Sequence, residues 1–115
     1  MRIKRGTVSK RKHRKLLKSV KGFRMTKRKL VKVASEASLH AGAYAYTGRK
    51  DKKSFFRKLW ITRISGFLKG KEISYSRFMH LLKQKNIILD RKSLSYLIQN
   101  DPEGFKFLLD KVKKS

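Results

Sequence analysis

Apolar positions are thinly scattered at the start of the chain and dense at its end. Through residues 1 to 24 only Ile3, Val8, Leu16, Leu17, Val20 and Phe23 interrupt the polar background, so this stretch gains little by burying itself and is expected to be disordered alone. Within it, Ser9 stands where an N-cap would open a short helix, and Gly22 stands where a helix stop is expected. A helix that short, with no core beneath it, is marginal in water and depends on a partner.

From about Thr26 the pattern becomes periodic. Leu30, Val33, Ala34, Ala37, Ala41, Tyr44 and Ala45 recur three or four apart, which is the spacing of one helix face, here with small side chains that allow close approach to a partner. No proline occurs before Pro102, so one long helix from about Thr26 to Leu68 is permitted. Gly42 and Gly48 each cost it about 1 kcal/mol relative to Ala, which leaves a bend near Thr47 and Gly48 as the alternative.

The stripe turns heavy at Phe55, Phe56, Leu59, Trp60, Ile64, Phe67 and Leu68, and a core is predicted to begin there with Trp60 in it. Gly70 is the predicted stop. Ser74 then caps a helix carrying Tyr75, Phe78, Met79, Leu81 and Leu82 to Asn86; Asp90 caps another with Leu94, Leu97 and Ile98 inward to Asn100. Asp101 with Pro102 at the first helical position opens a last helix carrying Phe105, Leu108, Leu109 and Val112. Ile87, Ile88 and Leu89 read as a buried linker, since a strand there would have no partner. The fold class is therefore all-α: a long basic N-terminal helical extension, residues 1–58, followed by a small helical bundle, residues 59–115. Within the extension, 1–24 is extended or a short helix and 26–58 begins the long helix.

Charge sharpens this division. The chain of 115 residues has a formal net charge of +26, and the first 35 residues contain no Asp or Glu. Residues 1–58 hold 21 Lys and Arg against Glu36 and Asp51, a net of +19; the remainder nets +7. That much self-repulsion disfavours a compact state unless counter-charge comes from outside, and polyphosphate is the obvious source.

Other chemistries find little support. There is no Cys, and His13, His40 and His80 are too scattered for a metal-ligand spacing. No metal or cofactor is expected. The seven acids are dispersed, no Gly-rich phosphate loop follows a strand, and no nucleophile has a nearby His with an orienting acid, so no enzyme is predicted. No apolar run is long enough to span a bilayer, and the N-terminus enters charge without the apolar segment of a signal peptide. Membrane-surface helices set a strongly apolar face against the basic one, which residues 9–53 do not. Nucleic acid is the favoured partner. Nothing in the spacing suggests a zinc finger, a zipper or a helix-turn-helix reader, whereas Phe23, Tyr44, Tyr46, Phe55 and Phe56 interleave with charge as stacking on unpaired bases requires. Ordinary helix packing is the competing reading for Tyr44 and Tyr46.

Specific motifs then narrow the class. Lys4-Arg5-Gly6, the block from Arg11 to Lys15, Lys21-Gly22-Phe23-Arg24, Tyr44-Ala45-Tyr46 and the run from Phe56 to Ile64 appear in order, followed by Ser74-Tyr75-Ser76-Arg77-Phe78 and Asp90-Arg91-Lys92-Ser93-Leu94. Over essentially its whole length the chain resembles the bacterial-type large-subunit ribosomal protein twenty family. It departs where the family usually has Gly and this chain has Met25, where the family has Arg-Asp and this chain has Thr47-Gly48, and where Asn-Ala-Ala is replaced by Ser65-Gly66-Phe67. The resemblance implies a basic helical arm threaded into large-subunit rRNA, a globular helical domain near the outer side of the subunit, and an early role in assembly without part in peptide-bond chemistry. It also implies neighbouring large-subunit proteins as partners, a ribosomal location in a bacterium or an organelle, and neither homo-oligomer nor small-molecule substrate.

The predicted RNA contacts divide by chemistry. Arg2, Arg5, Arg11, Arg14, Arg24, Arg28, Arg49, Arg57 and Arg63 can grip phosphate in bidentate fashion or stack on bases. Lys4, Lys10, Lys12, Lys15, Lys18, Lys21, Lys27, Lys29, Lys32, Lys50, Lys52, Lys53 and Lys58 are diffuse neutralisers, and His13 is a phosphate neighbour within its basic block. Phe23, Tyr44 and Tyr46 are the stacking candidates. A DNA-compacting, histone-like protein using the same basic helix on duplex phosphates is the alternative function, and it predicts equal affinity for random duplex DNA and structured RNA.

Overall fold

The computed structural model describes residues 1–114. They form five α-helices and one 3-10 turn: α1 (Gly6–Ser19), the turn Met25–Arg28, α2 (Val31–Leu68), α3 (Tyr75–Gln84), α4 (Arg91–Asn100) and α5 (Pro102–Lys113). No strand occurs among the described residues. The chain divides into two compact units, Met1–Lys50 and the residues from Asp51 onward.

In the N-terminal unit, α1 begins three residues before the predicted cap. Arg5 occupies the N-cap position with no side-chain hydrogen bond, and Ser9 lies inside the helix with its N–H bonded to the Arg5 carbonyl at 3.2 Å. The first turn carries no acid to meet the helix dipole, while Lys18 sits in the last turn where a cation is favourable. After α1 the chain turns through Gly22 at φ 92, a left-handed conformation that glycine adopts without strain.

The second helix does not start at Thr26. Met25 is held at φ 56, and the Thr26 carbonyl accepts the N–H groups of both Lys29 and Leu30 at 2.9 Å, closing a tight turn before α2 opens at Val31. Once begun, α2 runs 38 residues through Gly42, Thr47 and Gly48 without a break. The only fully buried apolar side chains of this unit are Val20 and Ala34, with Leu16, Leu17, Phe23, Val31, Val33 and Ala37 half-buried among the described residues. At roughly 25 cal/mol per Å² of apolar surface buried, so small a core contributes little to folding.

The C-terminal unit has a continuous core. Ile64 and Leu68 of α2 join Ile73, Phe78 and Leu82, Leu94, and Phe105, Leu109 and Val112. Phe105 lies at its centre, with the Phe67 ring edge-on at 4.9 Å and Phe78 at 5.5 Å between centroids. Phe67, one of the departures from the resembled family, thus adds an aromatic contact to the core. Three caps match the sequence reading: Ser74 accepts from the Arg77 N–H at 3.3 Å, Asp90 from Ser93 at 2.7 Å, and Asp101 from Gly104 at 2.9 Å. A Cβ on Gly104 would crowd the Asp101 carboxylate, so a larger residue there would make the capping side chain shift.

Lysines bond carbonyls at the end of α5 and in the loop after α2. Lys113 Nζ donates to the Lys71 carbonyl at 2.7 Å, and Lys85 Nζ donates to the carbonyls of Lys111, at 2.8 Å, and Lys114. In the loop after α2 the left-handed residue is Glu72, at φ 56, rather than the predicted stop Gly70.

Three expectations fail here. Trp60 is half-exposed and absent from the core cluster, its ring instead 6.2 Å from Phe56. Phe55 and Phe56 are 64% and 37% exposed and Leu59 and Trp60 only half-buried, so full burial starts only at Ile64. The Ile87–Leu89 connection is only half-buried at its two ends, and Ile88 is 97% exposed, at the middle of a tight turn in which the Leu89 N–H donates to the Ile87 carbonyl at 3.2 Å.

Candidate nucleic-acid interface

Helix α1 places Thr7, Lys10, Arg11 and Arg14 three or four residues apart, hence on one face. They line a concavity of about 310 Å³. Lys4, Lys12, His13, Lys15 and Lys18 are also exposed, as are Arg2 and Arg5 before the helix. Three guanidinium or ammonium groups with a hydroxyl around one hollow can surround a phosphate with donors from several directions.

The turn and the first part of α2 carry the next set. Lys21, Arg24, Lys27, Arg28, Lys29 and Lys32 are exposed, and Phe23 is half-buried. Phe23, Lys27, Glu36, His40 and Tyr44 border a hollow of about 370 Å³. Tyr44 is 74% exposed and Tyr46 57%, so neither is an ordinary packing residue within its unit. Lys50 Nζ stands 4.5 Å from the centre of the Tyr46 ring, a cation–π geometry that keeps the ring beside positive charge. Arg49 is exposed as well.

In the C-terminal unit Lys52, Lys53, Arg57 and Lys58 lie exposed on α2. Arg63 differs. It is half-buried, and its Nη1 donates to Gln99 Oε1 at 2.9 Å and lies 3.5 Å from Ser95 Oγ, so that nitrogen ties α2 to α4.

Electrostatically the surface is uncompensated. Among the described residues the one ion pair within 4 Å is His40 with Glu36, at 3.9 Å, and no Lys or Arg has a carboxylate partner. Among the same residues, no Lys or Arg side chain before Arg63 donates a hydrogen bond to protein. Chemically, such a set offers many hydrogen-bond donors of one charge sign to an external polyanion.

A family model described as "Ribosomal protein L20" matches residues 2–108. The chain belongs to that family. The "Large ribosomal subunit protein bL20" of Xylella fastidiosa strain M23 is 45% identical over 112 residues, covering 97% of this chain and 94% of that protein. Its counterparts of the same name from strains Temecula1 and M12 show the same identity and coverage. Membership of the L20 family makes the chain a ribosomal protein, a structural component rather than an enzyme.

Sequence reasoning missed Glu36 and His40 as part of a hollow. The available signal was that Glu36 is the only acid in the first 50 residues. It also missed the C-terminal concavity of about 550 Å³ lined by Leu89, Asp90, Lys92, Ser93, Tyr96 and Leu97, which follows from Tyr96 being 64% exposed on α4.

Proposed function

We propose that this L20-family chain binds large-subunit rRNA directly through residues 2–58 and promotes early assembly of the subunit. The observation that carries the reading is the set of exposed Lys and Arg without a protein partner among the described residues. Their charge is relieved by RNA phosphate, with counterion release offsetting the entropy of ordering the segment. Because the free chain repels itself, association with RNA at an early stage is favoured over waiting for other proteins.

In this reading residues 1–58 are the RNA-binding segment and 59–115 the globular domain. Arg2, Arg5, Arg11, Arg14, Arg24, Arg28, Arg49 and Arg57 take phosphates, and the lysines neutralise more diffusely. Arg63, with Nη1 engaged on α4, contributes its remaining nitrogens. The exposed Ile88, Tyr96 and Phe107 supply apolar area for neighbouring large-subunit proteins.

The test is binding of the full chain to large-subunit rRNA fragments and to length-matched random duplex DNA across a salt series. The slope reports phosphates neutralised, and preference surviving at high salt reports recognition. One rRNA fragment still held where duplex DNA has dissociated is the expected result. Parallel loss at every salt concentration would replace this reading with non-specific DNA compaction.

A further inference from the structure

The hollow beside α2 exists because Ala37 and Ala41 present almost no side chain there. Phe23, positioned by the Gly22 turn, borders it with Tyr44, and the His40 and Tyr44 rings lie 26° from parallel with centroids 6.2 Å apart. About 370 Å³ is within the size range of small-ligand sites, and aromatic borders favour a flat heteroaromatic group.

Glu36 narrows the choice of group. A carboxylate on a surface otherwise suited to phosphate repels that phosphate, and among the described residues the one ionisable partner within 4 Å is the His40 imidazole, in a pair exposed enough to add little. A carboxylate only accepts hydrogen bonds, so it suits a base edge rather than a backbone. Guanine is the one standard base with two adjacent donors, N1–H and N2–H, on its pairing edge, matching the two carboxylate oxygens.

We infer that this hollow takes an unpaired guanine from the bound RNA, stacked against Phe23 and Tyr44, with its N1–H and N2–H donating to Glu36 and the adjacent phosphate beside Lys27. The inference rests on the RNA-binding reading. It adds a point of base recognition to a surface whose other contacts go mainly to phosphate.

The probes are four hairpin RNAs identical except for a single bulged G, A, C or U, titrated with the full chain and with Glu36→Ala and Glu36→Gln at fixed salt. The wild-type chain is expected to hold the G bulge about tenfold more tightly than the others, and Glu36→Ala to abolish that margin by weakening the G bulge alone. A bystander carboxylate gives the opposite sign: removing a negative charge tightens all four RNAs equally, which overturns the inference. Equal wild-type affinity for the four bulges also overturns it. If an rRNA fragment then still outlasts duplex DNA at high salt, the guanine site alone has failed; if the two dissociate together, the RNA-binding reading has failed with it.

Discussion

Lys85 and Lys113 in the C-terminal unit donate to backbone carbonyls at helix ends and loops, whereas the 17 Lys and Arg of Met1–Lys50 find no protein acceptor among the described residues. The residue type is the same and the work differs. Where a core from Ile64 to Val112 holds helices against one another, an ammonium group has fixed carbonyls within reach and completes the fold. Where Val20 and Ala34 are the whole buried set, the cations have nothing internal to complete, which is what suits them to the proposed RNA. A basic surface is therefore informative about function in proportion to how little of it the fold consumes.

The most forceful way to separate the two units is to damage the core. Phe105→Ala removes the ring that Phe67 and Phe78 pack against and is expected to cost about 3–5 kcal/mol, read as a lower urea midpoint for helix loss in the full chain. The salt slope of RNA binding should stay close to wild type when measured under folding conditions. The converse experiment is Arg11→Ala with Arg14→Ala. Each phosphate that is no longer neutralised lowers the magnitude of the log–log salt slope by about 0.7–0.9, while both side chains, being exposed and unpaired, leave the urea midpoint unchanged. A large stability loss in the arginine variant would mean that the N-terminal cations are part of the fold after all.

Two substitutions of smaller effect exploit the places where this chain departs from the family it resembles. Gly66 lies within α2 with nothing within 4 Å of an added Cβ, so Gly66→Ala should stabilise by about 1 kcal/mol through helix propensity. Met25 sits in the left-handed region, and Met25→Gly should release about 1 kcal/mol of backbone strain. The first gain should appear in the thermal midpoint of the C-terminal unit. The second should appear as slower amide exchange at Lys29 and Leu30, whose N–H groups close that turn.

These same positions show what was legible in the sequence. The three side-chain caps at Ser74, Asp90 and Asp101 are local chemistry, since an oxygen acceptor precedes a helical pattern by one residue, and all three were readable. The start of α2 was not, because no residue near Val31 carries a capping oxygen that signals it and Met25 gives no hint of a positive φ. The family's usual Gly at that place is intelligible once the φ of 56 is seen. Trp60 and Ile88 failed for a different reason: periodicity identifies a face but not whether another element exists to cover it. On the basic side the exposed cations followed from composition alone, whereas the hollow around Glu36 needs Phe23 and Tyr44, 21 positions apart, brought to one place by a turn the sequence did not announce.

The mildest test concerns acid, to which the units should respond differently. Hydrogen bonds from the Ser93 side chain and backbone N–H hold the Asp90 carboxyl below the ordinary carboxylate value. A depressed folded-state pKa means that the ionised cap stabilises α4 fully above the unfolded value of about 3.9 and that this contribution is lost as pH falls through the folded value. Asp90→Asn keeps a capping acceptor but does not titrate, so the thermal-midpoint advantage of the wild type over this variant should be steady above about pH 5 and shrink as pH drops below about 4. The N-terminal unit has Glu36 as its only side-chain acid and α1 has no acid in its first turn, so its helical signal should not distinguish the two chains at any pH. An advantage that persists unchanged to pH 3 would show that the cap works through the geometry of its acceptor and not through its charge.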